Sequence, residues 1–457
     1  PIIWIFLIYL FGILAWGYLF NWRQTPINYH DWAEINLPRV QVVKEALLNQ
    51  VLPLHVNDTS MLHHLTDRFL TLPDIITTPQ MVLLWFMDAD TFLLTDLLLH
   101  YSIATLGLFF FKRKFNWSIF TFVVLFFLFN FNGYIIAHYL VGHATWAGYF
   151  LFPWFFLFVF EFVESQPNWR WVTKVAFLCF YMVLAGSQHH FTWLLLFLGF
   201  LGLAEWRKLK WIAAAIFSAG FLSAFRLLPP ILIIENVKDR LNFSFLTGYQ
   251  SLAELISALV NIKKPDDYIF FVSSHPLGYW EFNYFIGILG FFFLCIFGIF
   301  FWLRNEQNDQ RFHVLFFPFF MTLFMSIGLI YGETLYHLPV FRSERVISRM
   351  VSIPITMLMF VAAIFFDKWF QQKTIKMRWL FGAGLILLVN DLREHMRVWN
   401  IQNIVPEFAQ VELQFAKIML NNHPDPTYFQ ILLLGLLLTI LTALTLTLLV
   451  LRTRKVR

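Results

Sequence analysis

The chain is short of charge. Only 13% of its 457 residues are Asp, Glu, Lys or Arg, about half the share a soluble domain carries. That excludes an ordinary water-soluble enzyme of this length. Cysteine is nearly missing as well. Cys179 and Cys295 are the only two, and both sit inside apolar runs. They read as small core residues, which excludes a disulfide framework or a cysteine-based metal knuckle. There is no tandem repeat, no low-complexity tract and no hydrophilic stretch of a size to make a soluble domain. The net charge is a modest +5, its excess Lys and Arg lying in short loops. Membrane orientation accounts for such an excess, so no nucleic-acid partner is called for.

What is abundant is oil. Hydrophobic residues make up 59% of the chain, with 58 Phe and a mean hydropathy of +0.65. They gather in runs of about 20, the length that crosses a hydrocarbon core of ~30 Å. Backbone polar groups in lipid must be satisfied internally, and the runs are continuous rather than alternating, so the spans are expected to be helices. The expected fold is all-α: a polytopic transmembrane helical bundle of about twelve spans, forming a single transmembrane domain over 1–457. The spans fall near 2–20, 91–111, 117–137, 146–163, 170–186, 191–204, 211–234, 284–303, 313–331, 348–366, 378–391 and 428–451. The first run is too long for a signal-peptide core and has no small-residue cleavage site, so it is expected to remain as a span. The chain opens on Pro1 instead of Met, and a few N-terminal residues are expected to be missing.

The loops sort by charge. "KRK" (112–114), "NWRWVTK" (168–174), "EWRKLK" (205–210), "LRNEQNDQR" (303–311), "DKWFQQKTIKMR" (367–378) and the tail "RTRKVR" (452–457) fall on one side. The positive-inside rule makes that side cytoplasmic, with both termini there. The other face receives 21–90, 141–146, 186–190, 235–283, 332–347 and 392–427, which are long or rich in His, Trp, Asp and Glu. Outer loop 1 (21–90) contains "DWAEINLPRVQVVKEALLNQVL", whose apolar residues recur at helical spacing. It is expected to form an amphipathic helix on the outer membrane surface. Residues 52–90 hold Pro53, Pro73 and Pro79 and suggest short helices and turns.

Six groups of residues carry chemistry. Asp31 and Glu34, three apart, share a helical face just outside the first span. Acidic charge at a helix N-terminus is one account. A catalytic carboxylate at the lipid–water boundary, acting as general base or metal ligand, is the other. Asp88 and Asp90 resemble half of a hard-metal site, although interfacial solvation is the plainer account. Asp96 and His100 lie inside a span, four apart, where ionisable groups are costly, and a pairing of Asp96 with Arg226 is expected. His138 and His143 flank one outer turn, and His189 and His190 mark another. Hydrogen bonding is their first expected role and metal binding the second. Finally, "LPVFRSERVISRM" sets Arg342, Arg345 and Arg349 at i, i+3 and i+7, one face of a helix leading into the tenth span. Guanidiniums so placed suit a phosphate or diphosphate. Pairing with Glu333, Glu344 or acids of other loops is the alternative. Tyr279, Trp280 and Glu281 in "HPLGYWEFNYF" form an aromatic–acid set of the kind that lines sugar sites, and also of the kind found in aromatic belts.

A first span, a long outer loop with an early Asp and an amphipathic helix, then many spans on short loops: this order resembles the GT-C superfamily of polytopic membrane glycosyltransferases. "AHYLVGHATWAGYFLFPW", "AGSQHHFTWLLLF" and "FRSERVISRM" are similar to segments of large bacterial members. The likeness is one of topology over most of the chain. The Trp-Trp-Asp string of oligosaccharyltransferases is absent. The resemblance implies transfer of a sugar from a polyprenyl-phosphate-linked donor to an acceptor on the non-cytoplasmic face of a bacterial inner membrane. Asp31, with Glu34 in reserve, would be the catalytic base or, with Asp88 and Asp90, a ligand of a magnesium or manganese ion. Arg342, Arg345 and Arg349 would hold the donor phosphate. His138, His143, His189, His190, Tyr279, Trp280 and Glu281 would line the cavity. The expected partners are the bilayer, the lipid-linked donor and other membrane subunits. The alternative is a non-catalytic scaffold subunit of a larger complex. A transporter is disfavoured because no inverted repeat or pair of broken helices is visible.

Overall fold

The computed structural model describes residues 2–57, 67–237, 246–267, 270–272, 275–304, 310–338, 344–408 and 419–455. Helices dominate it. From the N-terminus they are α1 (Ile2–Leu19), α2 (Leu37–Leu48), α3 (Ala89–Phe115), α4 (Ile119–Asn130), α5 (Gly133–Leu140), α6 (Phe152–Glu164) and α7 (Trp169–Leu184). Then come α8 (Gln188–Ala204), α9 (Leu209–Leu222), α10 (Ala224–Val237), α11 (Leu252–Val260), α12 (Gly287–Phe293) and α13 (Phe301–Arg304). The last are α14 (Phe316–Met325), α15 (Gly328–Glu333), α16 (Ser352–Gln371), α17 (Ile375–Val398), α18 (Ile401–Ile404) and α19 (Pro426–Lys455). One small antiparallel ladder, Phe270–Val272 with His275–Leu277, departs from the all-α expectation.

Local chemistry sets the helix starts. Asp88, Ser118, Asn132 and Asn168 each accept a backbone N–H of the first turn of α3, α4, α5 and α7, satisfying donors that have no partner within the helix. Each of the twelve expected segments contains helix. Among the described residues, seven stretches are long and apolar enough to cross a bilayer: Ile2–Leu19, Ala89–Phe115, Ile119–Leu140, Ala144–Glu164, Gly287–Arg304, Ile347–Gln371 and Pro426–Thr453. These are the apolar helices of an integral membrane protein. The other five segments fall short on length, straightness or composition. Trp169–Leu184 has 16 residues, and Gln188–Ala204 and Phe312–Met325 are apolar but short. Ile375–Val398 has 24 residues but carries Lys376, Arg378, Asp391, Arg393 and Glu394. Trp206–Leu222 and Ala224–Ile231 form a pair bent by 72°. At that bend the amide of Phe225 donates to Thr439 Oγ1 on α19, 3.2 Å away.

The core is aromatic and centres on α16, whose apolar stretch is enclosed by protein along its whole length. Phe360 on α16 stacks on Phe111 of α3 with ring centres 4.2 Å apart, and Phe156 and Phe129 press on it from α6 and α4. By contrast α1 and α19 present most of their side chains outward.

The amphipathic segment of outer loop 1 does not lie free on a surface. A π-turn, Trp32–Asn36, leads into α2, and Leu37, Val40, Val42, Val43 and Ala46 are covered by the chain itself. Arg39, on the same covered side, makes a 2.6 Å ion pair with the fully buried Asp74. The sequence pattern had set this helix against lipid. The protein covers it instead, because a buried guanidinium can be paired there and could not be in oil. The stretch 52–90 contains the short 3-10 turns Phe69–Thr71 and Pro79–Trp85, as its prolines suggest.

Candidate functional site

Asp31 is positioned by the backbone of a distant turn. After α1 the chain reverses through Asn21, Trp22 and Arg23, all with positive φ, and His30 is left-handed again at φ 44°. The segment then lies along the turn that ends α5. Tyr29 Oη donates to the Leu140 carbonyl, and His30 Nδ1 lies 2.8 Å from the Val141 carbonyl. Asn36 Nδ2 donates to both the Asp31 and the Gly142 carbonyls. Gly142 makes this approach possible: its φ is +92°, and a Cβ there would stand 2.4 Å from the Trp32 amide nitrogen. Only glycine tolerates both conditions.

Once seated, Asp31 meets two imidazoles. Its carboxylate lies 3.2 Å from His143 Nε2 and 3.5 Å from His30 Nδ1. His143 Nδ1 is in turn 2.7 Å from His138 Nδ1, which leaves Nε2 to face Asp31. Asp31 retains 26% of its side-chain exposure, so its carboxylate is open to solvent.

From this triad a continuous set of contacts runs to Arg349 and back. The His143 ring is 5.3 Å from Trp146, and the Arg349 guanidinium sits 4.7 Å over the Trp146 ring. Arg349 Nε and Nη2 donate to both oxygens of Glu281. Trp280 Nε1 donates to the same carboxylate at 3.1 Å, and the Trp280 ring lies 5.2 Å from His30. Phe408 closes on His30 and Trp280 from the segment before α19. Trp146 also touches His189 and His190, each at 5.6 Å between ring centres. His189 Nδ1 lies 3.0 and 3.1 Å from the two oxygens of Glu344. Buried His190 meets Tyr134 Oη at 3.0 Å.

The electrostatics agree with this convergence. Burial alone would raise the Glu281 carboxyl. The Arg349 guanidinium, hydrogen-bonded to it, and His143 outweigh that and hold it below the usual carboxylate range. Glu344 behaves alike: burial pushes it up, and His189 and Arg349 bring it below its ordinary value. Arg345 keeps an accessible surface but is crowded by protein. Dehydration first and the like charge of Arg349 second press its pKa below the ordinary arginine value, while Glu281, Glu344 and Asp31 pull the other way.

Several expectations about site residues need correction. Arg345 and Arg349 do not share one α-helical face. Residues 344–346 are not helical: the Arg345 carbonyl accepts from the Thr247 amide at 2.7 Å, and Ile347–Val351 is a 3-10 turn. Arg342 lies outside the described residues. Arg349 is engaged by Glu281, the alternative that "acids of other loops" allowed. Asp96 and Arg226 do not pair. Asp96 takes His100 at 3.3 Å and Gln80 at 2.6 Å, whereas Arg226 donates to the carbonyls of Leu70, Leu72 and Asp74. Each buried charge satisfies itself with the nearest polar groups of its own neighbourhood. Asp88 and Asp90 stand apart from the triad and face Arg23, at 4.0 and 3.0 Å. Glu34 is exposed on the π-turn. Tyr279 is buried, with Lys263 Nζ 5.0 Å over its ring. His30, Trp146 and Glu344 belong to the cluster although spacing did not single them out. For His30 the signal was its place beside Asp31 in "NYHDW".

His30, Asp31 and His143 each offer a donor atom within 4.8 Å of the others. Two imidazoles and one carboxylate make a donor set for a borderline transition ion, and a poor one for magnesium, which prefers an all-oxygen shell. Manganese, the other ion expected from sequence, also favours oxygen donors, and two imidazoles suit it less well than they suit an imidazole-binding ion such as zinc. Comparison with family models, with curated proteins and with solved structures gave no match.

Proposed function

We propose that this chain is a membrane glycosyltransferase of GT-C type, moving a sugar from a polyprenyl-phosphate-linked donor to an acceptor hydroxyl. One observation carries the reading. A partly exposed carboxylate from the loop after the first helix, Asp31, lies in one connected cluster with Arg349, from more than three hundred residues later in the chain, and exposed Arg345 stands just before Arg349. A base near a cationic anchor is what glycosyl transfer from a phosphate carrier needs.

Asp31 takes the proton of the acceptor hydroxyl as its oxygen bonds to the anomeric carbon. The bond from that carbon to the carrier phosphate breaks, and its electron pair stays on the phosphate oxygen. Arg345 faces the charge that grows there. Arg349 is shared with Glu281, so its contribution is partly neutralised. His143 and His30 orient the Asp31 carboxylate. An imidazole-binding divalent ion such as zinc, held by His30, Asp31 and His143, would supply Lewis acidity beside the base. In this reading the cluster lies on the non-cytoplasmic face of a bacterial inner membrane. Both termini are cytoplasmic, and twelve segments cross or enter the bilayer.

A second reading, a non-catalytic scaffold subunit, is favoured by the closed Arg349–Glu281 pair, which satisfies itself without a ligand. Purified protein incubated with labelled polyprenyl-phospho-sugars and acceptor lipids separates the two. Asp31→Asn is expected to abolish transfer while the thermal unfolding midpoint stays put. Turnover near the wild-type rate in that variant would remove Asp31 from the mechanism, and no transfer by the wild type across the donor panel would favour the scaffold.

A further inference from the structure

We propose a second metal site, for a zinc ion, formed by His55, Asp67 and His423 and independent of the transferase reading. Their donor atoms lie within 4.8 Å of one another. His423 Nε2 is 2.6 Å from Asp67 Oδ2, and the His55 and His423 rings, tilted by 31° to each other, have centres 4.0 Å apart. His55 supplies the decisive observation. It is 1% exposed, and among the described residues its Nδ1 makes no hydrogen bond while its Nε2 has only the 3.5 Å approach of Asp425. Burying an imidazole nitrogen with no partner is unfavourable. A cation shared with the two neighbouring donors supplies that partner.

Two backbone segments far apart in sequence are brought together to build the site. Val56 bridges Leu420, the Asn421 amide donates to the His55 carbonyl at 3.0 Å, and Asn422 Oδ1 accepts from the amides of Leu54 and His55. Behind the donors stands Asp425, its Oδ2 3.5 Å from His55 Nε2 and 2.7 Å from Arg68 Nε. Metal-bound imidazoles commonly have such an outer carboxylate, itself held by hydrogen bonds. A cavity of about 380 Å³ opens against His55, His423 and Asp425. Two imidazoles with carboxylates match the ligand preference of zinc, and hard cations such as calcium or magnesium would want oxygen in place of the nitrogens.

The site has a mechanical role. Asp425 caps α19 by accepting from the Tyr428 amide at 3.1 Å. Only 17% of the apolar window of α19 is buried by the rest of the chain. Zinc at His55, Asp67 and His423 would pin outer loop 1 to the start of this loosely held helix.

The test uses full-length protein in detergent, stripped with a chelator and titrated with zinc chloride alone. Zinc content and the unfolding midpoint are both read. His423 and Asp67 are exposed, so His423→Ala and Asp67→Asn should fold, and His143→Ala removes any contribution from the Asp31 cluster. His143→Ala is expected to bind one zinc and to be stabilised by it. Adding either second substitution should weaken that binding about a hundredfold or more and abolish the stabilisation. Equal uptake and equal stabilisation with and without His423, or no zinc bound by His143→Ala, would overturn the proposal. None of these readouts involves sugar transfer.

Discussion

Gly142→Ala tests what holds Asp31 in place. At φ +92° the new residue is forced into the left-handed region, at a cost of about 1–2 kcal/mol. Its Cβ would stand 2.4 Å from the Trp32 nitrogen and 2.8 Å from the Asp31 carbonyl carbon. Ordinary contact is near ~3.5 Å, so the two backbones must part by about 1 Å. Overpacking of this kind costs about 1–3 kcal/mol. Together the substitution should lose about 2–5 kcal/mol. The parting also draws Asp31 away from His143, now 3.2 Å distant, and a displacement near 1 Å costs about a hundredfold in rate at a positioned group. The assay is denaturant unfolding of purified protein in a single detergent, with Gly199→Ala and Gly220→Ala as references. Those two glycines sit in α8 and α9 with nothing within 4 Å of a Cβ, so alanine there should be neutral or stabilising by up to about 1 kcal/mol. A Gly142→Ala protein as stable as the references would refute the argument that backbone apposition seats Asp31.

Two further outcomes follow from buried charge. Asp74→Asn removes the partner of Arg39, which is 6% exposed, and should lose about 3–5 kcal/mol, most of it regained in the double variant Asp74→Leu/Arg39→Met. Chemical unfolding of the wild type and the two variants decides this. Glu344 has a folded pKa below its ordinary value, so its ionised form adds stability above the ordinary glutamate pKa, and that gain fades as pH falls through the folded value. The stability gap between wild type and Glu344→Gln should therefore be full near neutrality and close in acid, as read by unfolding midpoints across pH. A gap that widened in acid would contradict the assignment.

Run length alone located the helices, because twenty apolar residues in lipid have one low-energy conformation. It could not tell how far each helix is covered by its neighbours: α16 is enclosed, whereas α1 and α19 stay mostly open. The position of Asp31 next to a span end, and the basic and acidic residues of 281–349, could be read as chemistry from their types. Their connections could not. Arg349 and Glu281 are 68 positions apart, and no local spacing joins them. His30 enters the cluster through a left-handed φ that its residue type does not announce. Trp146 looks like one more interfacial aromatic until Arg349 is found stacked on it. The Asp96–Arg226 expectation matched opposite charges at a similar depth. It overlooked carbonyls in the irregular stretch 70–74, which satisfy a guanidinium without any carboxylate.

The enclosure of α16 bears on biogenesis. A helix wrapped on every side by its siblings meets no lipid in the finished protein, so Ser352, Thr356 and Asp367 along it can be tolerated by their neighbours. While it emerges from the ribosome, however, it must be accepted by the membrane before its last neighbour, α17, whose Phe381 packs on Phe366, Trp369 and Phe370, exists. The helices made earlier have to stand as an open cup that receives it.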